Sequence, residues 1–189
     1  MGALPNHLRR KRVMSEELVV LLANDGTRIG TASKALVHTA HTPLHLAFSC
    51  YLYDGQGRIL MTRRALSKKT WAGVWTNSFC GHPGEGESFP DAIARRAEQE
   101  LGTTISSIAP LLPDFAYRAV DASGIVENEV CPVFSALVAS ELAPNPDEVA
   151  EYAWVDPLAL KTAALAAPFA FSPWLLEQIG QGSLDSPRP

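Results

Sequence analysis

Cysteine is scarce in this 189-residue chain: Cys50, Cys80 and Cys131 are the only three. So sparse and odd a set excludes a disulfide-stapled scaffold, and reduced thiols are expected. No run approaches the roughly 20 apolar residues that a bilayer span needs. The short basic run from Leu8 to Arg12 precedes no apolar stretch long enough for a signal peptide, so a solvated tail and a cytoplasmic location are expected. Excess positive charge is missing as well: the formal net charge is -4, which provides no global attraction to nucleic acid. Repeats and low-complexity blocks are absent. What the chain has in quantity is apolar surface, 47% of its residues, enough for one substantial core.

Residues 1–15 read as a flexible extension, 16–180 as one domain and 181–189 as a fraying tail. Glu17 to Ala23 is a short strand closed by the turn Asn24-Asp25-Gly26, and Arg28 to Lys34 continues extended. His45 to Tyr53 and Arg58 to Arg64 form a hairpin across Asp54 to Gly57. Asp114 to Val120 and Ile125 to Val138 pair in the same way, Glu151 to Val155 is a further strand, and helices are expected around Pro157 to Ala167 and Pro173 to Ile179. This interleaving indicates a layered α/β domain with a mixed sheet.

The organising stretch runs from Trp75 to Gly102: a strand end, a glycine-rich loop, and one amphipathic helix. Ser88 caps that helix, with Pro90 and Asp91 in its first turn. Phe89, Ile93, Ala97 and Leu101 form its core-facing stripe, and Arg96 stacks on Glu100 beside them. Cys80 stands immediately before the loop, beside His82. A thiol serves as acid or base near neutrality where positive charge or a metal favours the thiolate.

His38, His41 and His45 fall within eight residues, although the chain has only five histidines. Glu127 and Glu129, two apart on a strand, point to one face among apolar neighbours, where two like charges ask for a cation. Together, His38, His45, His82, Glu127 and Glu129 could form a mixed imidazole and carboxylate shell for a borderline divalent ion. Lys34, Arg63, Arg64, Lys68 and Lys69 supply the positive charge for a polyphosphate, and strand parity lets only one of Arg63 and Arg64 face a given pocket.

Glu87, Arg95 and Glu100, set in G-x5-E-x7-R and a glutamate before Leu101-Gly102, resemble the Nudix signature. Arg96 and Gln99 stand where two further glutamates of that signature are expected, which argues against diphosphate hydrolysis. From about Leu18 to Trp174 the chain closely resembles the type I isopentenyl-diphosphate isomerases, on the motifs LHLAFS, TRRALSKKTWAGVWTNSFCGHP, YRA, SGIVENEVCPVF and FSPW. That resemblance implies a Nudix-like layered α/β/α domain and the reversible conversion of isopentenyl diphosphate to dimethylallyl diphosphate. It implies Cys80 and Glu129 as the catalytic pair, Tyr117 assisting Glu129, and Trp174 stabilising a carbocation. His38, His45, His82, Glu127 and Glu129 are the implied ligands of one divalent metal, Mn2+ or Zn2+. Glu100 and the main-chain oxygen of Cys80 are implied for Mg2+ bound with the diphosphate, and Lys34, Arg64, Lys68 and Arg96 for the diphosphate itself. His41 falls outside this set. The expected partner is a small diphosphate, not nucleic acid or membrane, and the expected state is a monomer or weak homodimer.

Overall fold

The computed structural model describes residues 17–185. The expected amino-terminal extension, its basic run and the last four residues lie outside the described residues.

Two mixed sheets share the chain. The first takes β1 (Leu18–Leu22), β2 (Arg28–Ser33), β3 (His45–Leu46), β9 (Ala116–Val120) and β10 (Val126–Val130) in the order β2-β1-β3-β10-β9. The second is built on β12-β5-β4-β11-β8: Val149–Val155, Ile59–Arg64, Phe48–Tyr53, Val133–Val138 and Ile105–Leu112. Two short strands, β6 (Trp75–Thr76) and β7 (Phe79–Gly81), add to β5 and β4 of that sheet. The helices are α1 (Lys34–Val37), α2 (Phe89–Leu101), α3 (Pro157–Ala166) and α4 (Pro173–Gly180).

Every residue of β4 is buried, as expected of a strand covered on both faces. Its alternating side chains enter two cores. Phe48, Cys50 and Leu52 pack with Phe79 and the α2 stripe Ile93, Ala97 and Leu101. Tyr51 and Tyr53 pack on the other side with Phe115, Tyr117, Trp174, Leu175 and Ile179. Helix α2 starts where the sequence places it: the Ser88 side chain accepts from the Asp91 amide. It ends at Gly102, whose φ of 60° suits a residue without a β-carbon and whose N–H donates to the Glu98 carbonyl.

Two expected strands are each divided between sheets. The stretch from His45 to Tyr53 leaves the first sheet at Ala47 and enters the second as β4, and Ile125 to Val138 does the same at Cys131-Pro132. Pro132 has no N–H to continue a ladder. The two crossings lie side by side, Ala47 N donating to Val130 O at 2.9 Å and Ser49 N to Pro132 O at 3.1 Å. Strand β8 was not anticipated; its serines and Pro110 erode alternation, which an edge strand tolerates. Gln181 to Asp185, expected to fray, instead forms a turn. Ser183 is buried with its hydroxyl 3.3 Å from that of Tyr51, and Asp185 pairs with Lys161 at 2.7 Å.

Candidate active site

Strand register assembles one half of the site. Glu129 on β10 stands opposite Tyr117 on β9 and His45 on β3, so three chemically active side chains form a row across the first sheet. His38 follows α1, and His82 follows β7. Ligand atoms of His38, His45, His82 and Glu129 all lie within 4.8 Å of one another.

The three Nε2 atoms converge on one oxygen, Glu129 Oε1, at 3.9 Å from His38, 3.3 Å from His45 and 3.2 Å from His82. His45 Nδ1 lies 2.9 Å from the Pro43 carbonyl, which fixes the ring and directs Nε2 inward. Among the described residues, buried His45 Nε2 and His82 Nδ1 find no hydrogen bond of good geometry. Clustered imidazole nitrogens around a carboxylate oxygen fit a borderline divalent cation such as zinc or manganese. Glu127 stands outside this group. Its Oε1 accepts from Thr70 at 3.0 Å and its Oε2 from Tyr117 at 2.7 Å.

Tyr117 also lies 3.0 Å from Glu129 Oε2. The two oxygens of Glu129 are thus divided, one toward imidazoles and one toward a phenol. A phenol has a single proton and here sits between two carboxylates. Burial opposes ionisation of Glu129, but His38, His45 and His82 outweigh it and hold the carboxyl well below its usual range. Burial and the adjacent Glu129 charge raise Glu127 instead. Burial brings His82 down to about 4, whereas the Glu129 charge overcomes burial at His45 and raises it.

The second sheet supplies the sulfur. Cys80 on β7 is directly opposite Ser49 on β4, whose hydroxyl is 3.2 Å from Sγ, and Asn77 Nδ2 is 3.3 Å from the same atom. Burial pushes the Cys80 thiol up to about 12. All three cysteines are free thiols.

Both halves line one cavity of about 220 Å³, below the roughly 300–1,000 Å³ of drug-sized sites and suited to a small ligand. Its wall includes Cys80, Glu129, Tyr117, Glu127 and Trp174 together with Glu100 and Glu148. Lys34, Arg64, Lys68, Lys69 and Arg96 bring five cations to it, in a chain that is acidic overall. Carboxylates hold three of these: Lys34 pairs with Glu17 at 3.0 Å, Lys68 with Glu148, and Arg96 with Glu100 and Glu148. Arg64 donates to the Thr70 carbonyl and lies 5.4 Å from the Trp174 ring centroid. Arg63 turns away to Glu151 and the Gly73 carbonyl, as strand parity requires.

Trp174 is buried, and its Nε1 is held by Thr76 Oγ1 at 2.9 Å and Asn77 Oδ1 at 3.0 Å. His41 is exposed. Glu148 and Gln178 carried no separate signal in the sequence, because each joins the site through contacts distant along the chain; Thr70 and Asn77 lie within a few residues of Arg64 and Cys80, but their polar side chains have no distinguishing pattern. Among the described residues no helix is long and apolar enough to cross a membrane.

This arrangement of sheets and helices defines a NUDIX-domain protein: residues 43–175 match the NUDIX domain family. A Deinococcus radiodurans crystal structure superposes with a TM-score of 0.67 at 20% identity, covering 87% of this chain and 98% of that one. The MutT protein of Methanosarcina mazei does so with a TM-score of 0.58 at 19% identity, over 76% and 94%. At such identities the likeness is one of fold. The isopentenyl-diphosphate Delta-isomerase of Leifsonia xyli subsp. xyli is 64% identical over 165 residues, 86% of this chain and 89% of that protein. Its counterpart in Clavibacter michiganensis subsp. michiganensis is 62% identical over 163 residues, 86% and 84%. The chain belongs to the isopentenyl-diphosphate Delta-isomerase family.

Proposed function

We infer that the chain interconverts isopentenyl diphosphate and dimethylallyl diphosphate in isoprenoid biosynthesis, moving a carbon–carbon double bond by adding one proton and removing another. Tyr117, whose O–H lies 3.0 Å from Glu129 Oε2, supplies a proton, and Glu129, which the imidazoles hold ionised, relays it to the terminal alkene carbon. The neighbouring carbon becomes a tertiary carbocation. Cys80, as thiolate, takes a proton from the adjacent methylene, and the electrons of that C–H bond form the new double bond. Burial pushes that thiol up to about 12, so positive charge at the cavity must favour the thiolate, which is then a strong base.

The cation intermediate requires a closed site, because water would capture it. Trp174 can face it without attacking it, and a desolvated contact between a cation and an aromatic ring contributes about 2 kcal/mol. Lys34, Arg64, Lys68 and Arg96 bind the diphosphate, so that remote binding energy holds a five-carbon tail between acid and base. His38, His45, His82 and Glu129 would hold a divalent ion, Mn2+ or Zn2+, with Glu127 beside them through Tyr117. Glu100 and the Cys80 main-chain oxygen would hold Mg2+ with the diphosphate. When bound, these ions supply charge that orients carboxylate and diphosphate. The reading extends to a cytoplasmic enzyme acting as a monomer or weak homodimer on a small diphosphate, with no nucleic-acid or membrane partner.

One observation carries the reading: the proposed acid and the proposed base line the same small cavity as five cations. The test is incubation of the protein with isopentenyl diphosphate, Mg2+ and Mn2+ in deuterated water. Deuterium in dimethylallyl diphosphate is the expected result. Release of phosphate or pyrophosphate with no isomer would replace it with a hydrolase.

A further inference from the structure

Helix α4 brings Trp174 to the cavity wall and, one turn later on the same face, buries Gln178. Gln178 Nε2 donates to Ser49 Oγ at 2.9 Å, across 129 positions of sequence. Ser49 is also fully buried, and its oxygen lies 3.2 Å from Cys80 Sγ and 3.5 Å from Cys131 Sγ. A hydroxyl has one proton to give. Once an amide N–H donates to its oxygen, that proton is directed to a sulfur, and the nearer sulfur belongs to Cys80. Asn77 Nδ2 reaches the same sulfur at 3.3 Å but divides two protons among it and the carbonyls of Cys50 and Phe79, at 3.2 and 2.9 Å. Ser49 is therefore the donor with a proton to commit.

We propose that Gln178 and Ser49 are positioning residues for the isomerase reaction: Gln178 orients the Ser49 hydroxyl, and that hydroxyl holds the Cys80 sulfur in line with the substrate methylene. The inference rests on the isomerase reading above. Cys80 lies on a three-residue strand, and pairing of that strand with β4 fixes its backbone without choosing the side-chain rotamer. A displacement of about 1 Å at a reacting atom costs on the order of 100-fold in rate. Neither positioning residue lines the cavity, so their removal should alter the chemical step and leave binding unchanged.

The test compares wild type, Ser49→Ala, Gln178→Met and Cys131→Ala by steady-state kinetics with isopentenyl diphosphate, alongside thermal unfolding. Ser49→Ala should lower kcat by about 10- to 100-fold with KM unchanged, Gln178→Met should lower kcat by less, and Cys131→Ala should keep the wild-type kcat. Wild-type kcat in both Ser49→Ala and Gln178→Met, an equal loss in Cys131→Ala, or a change confined to KM would overturn the proposal. If Ser49→Ala does not fold, the kcat of folded Gln178→Met decides. A wild type that makes no dimethylallyl diphosphate removes the isomerase reading and this inference together, an outcome distinct from an active wild type with an unimpaired Ser49→Ala.

Discussion

A β-carbon placed on Gly81 would stand 2.7 Å from Cγ of Arg96. Phe48 closes the other side, its ring atom Cζ 2.9 Å from the same point. Phe48 is fully buried and Arg96 nearly so, so neither can swing into solvent. Gly81→Ala should therefore push Arg96 out of line with the cavity. The expected outcome is a loss of about 1–3 kcal/mol of stability, the usual cost of overpacking, and a raised KM for isopentenyl diphosphate. Thermal unfolding and steady-state kinetics measure the two.

Cys80→Ala and Glu129→Gln should each abolish turnover while the fold persists. Both residues line the cavity, and neither replacement adds volume. Deuterium incorporation into dimethylallyl diphosphate checks activity, and circular dichroism checks the fold. Near-native activity in either variant would refute the assignment of acid and base.

Metal should stabilise the protein through the convergent imidazoles. An ion that binds only the folded state at 100 times its Kd contributes about 2.7 kcal/mol. Dialysis against a chelator should lower Tm, and added Mn2+ or Zn2+ should restore it. In His38→Ala, where one of the converging nitrogens is removed from a half-buried position, the gap between metal-loaded and metal-free Tm should shrink sharply. An undiminished gap would place the ion elsewhere.

Glu87 and Arg95 give a pH-dependent contribution to stability. Both Glu87 oxygens accept from Arg95 at 2.8 Å, and the Gly84 amide adds a 2.7 Å bond. Arg95 chiefly, aided by that amide, holds the Glu87 carboxyl below its ordinary value of 4.5. The folded state thus favours the ionised form. Its contribution is fully present above pH 4.5 and is lost as pH falls through the lower folded value. Solvent screening keeps it at or below about 1 kcal/mol. Glu87→Gln should be less stable than wild type at pH 7, with the difference closing below about pH 4 in chemical denaturation series. A constant difference across that range would show that the charge is immaterial.

Local pattern made much of this protein legible before its fold was known. The α2 stripe, its Ser88 cap, the three turns of glycine and aspartate, and the shared face of Glu127 and Glu129 all follow from spacing within a few residues. The motif resemblance went further and named residues that the cavity brings together. What spacing could not reach is pairing between distant segments. Nothing within the run from His45 to Tyr53 says that its first residues join one sheet and the rest another; the division arises where a second chain segment without an N–H at Pro132 lies alongside. Glu148 is 48 positions from Glu100, and only folding brings both to Arg96. Ser183 reads as tail by composition, yet it has the Tyr51 hydroxyl as a partner.

The paired crossings at Ala47 and Cys131-Pro132 make this candidate site sensitive to length as well as to residue type. Each joins a strand carrying metal-shell chemistry to a strand of the second sheet, β4 lying directly against the thiol strand and β11 beside β4, with no slack between them. Inserting or deleting one residue at either junction would rotate every following side chain to the opposite face, separating the two halves while leaving each sheet's own composition intact. Variation in loop size is accordingly expected at Asp54 to Gly57 or Asp121 to Gly124, where the chain turns back through solvent, and not at these two seams.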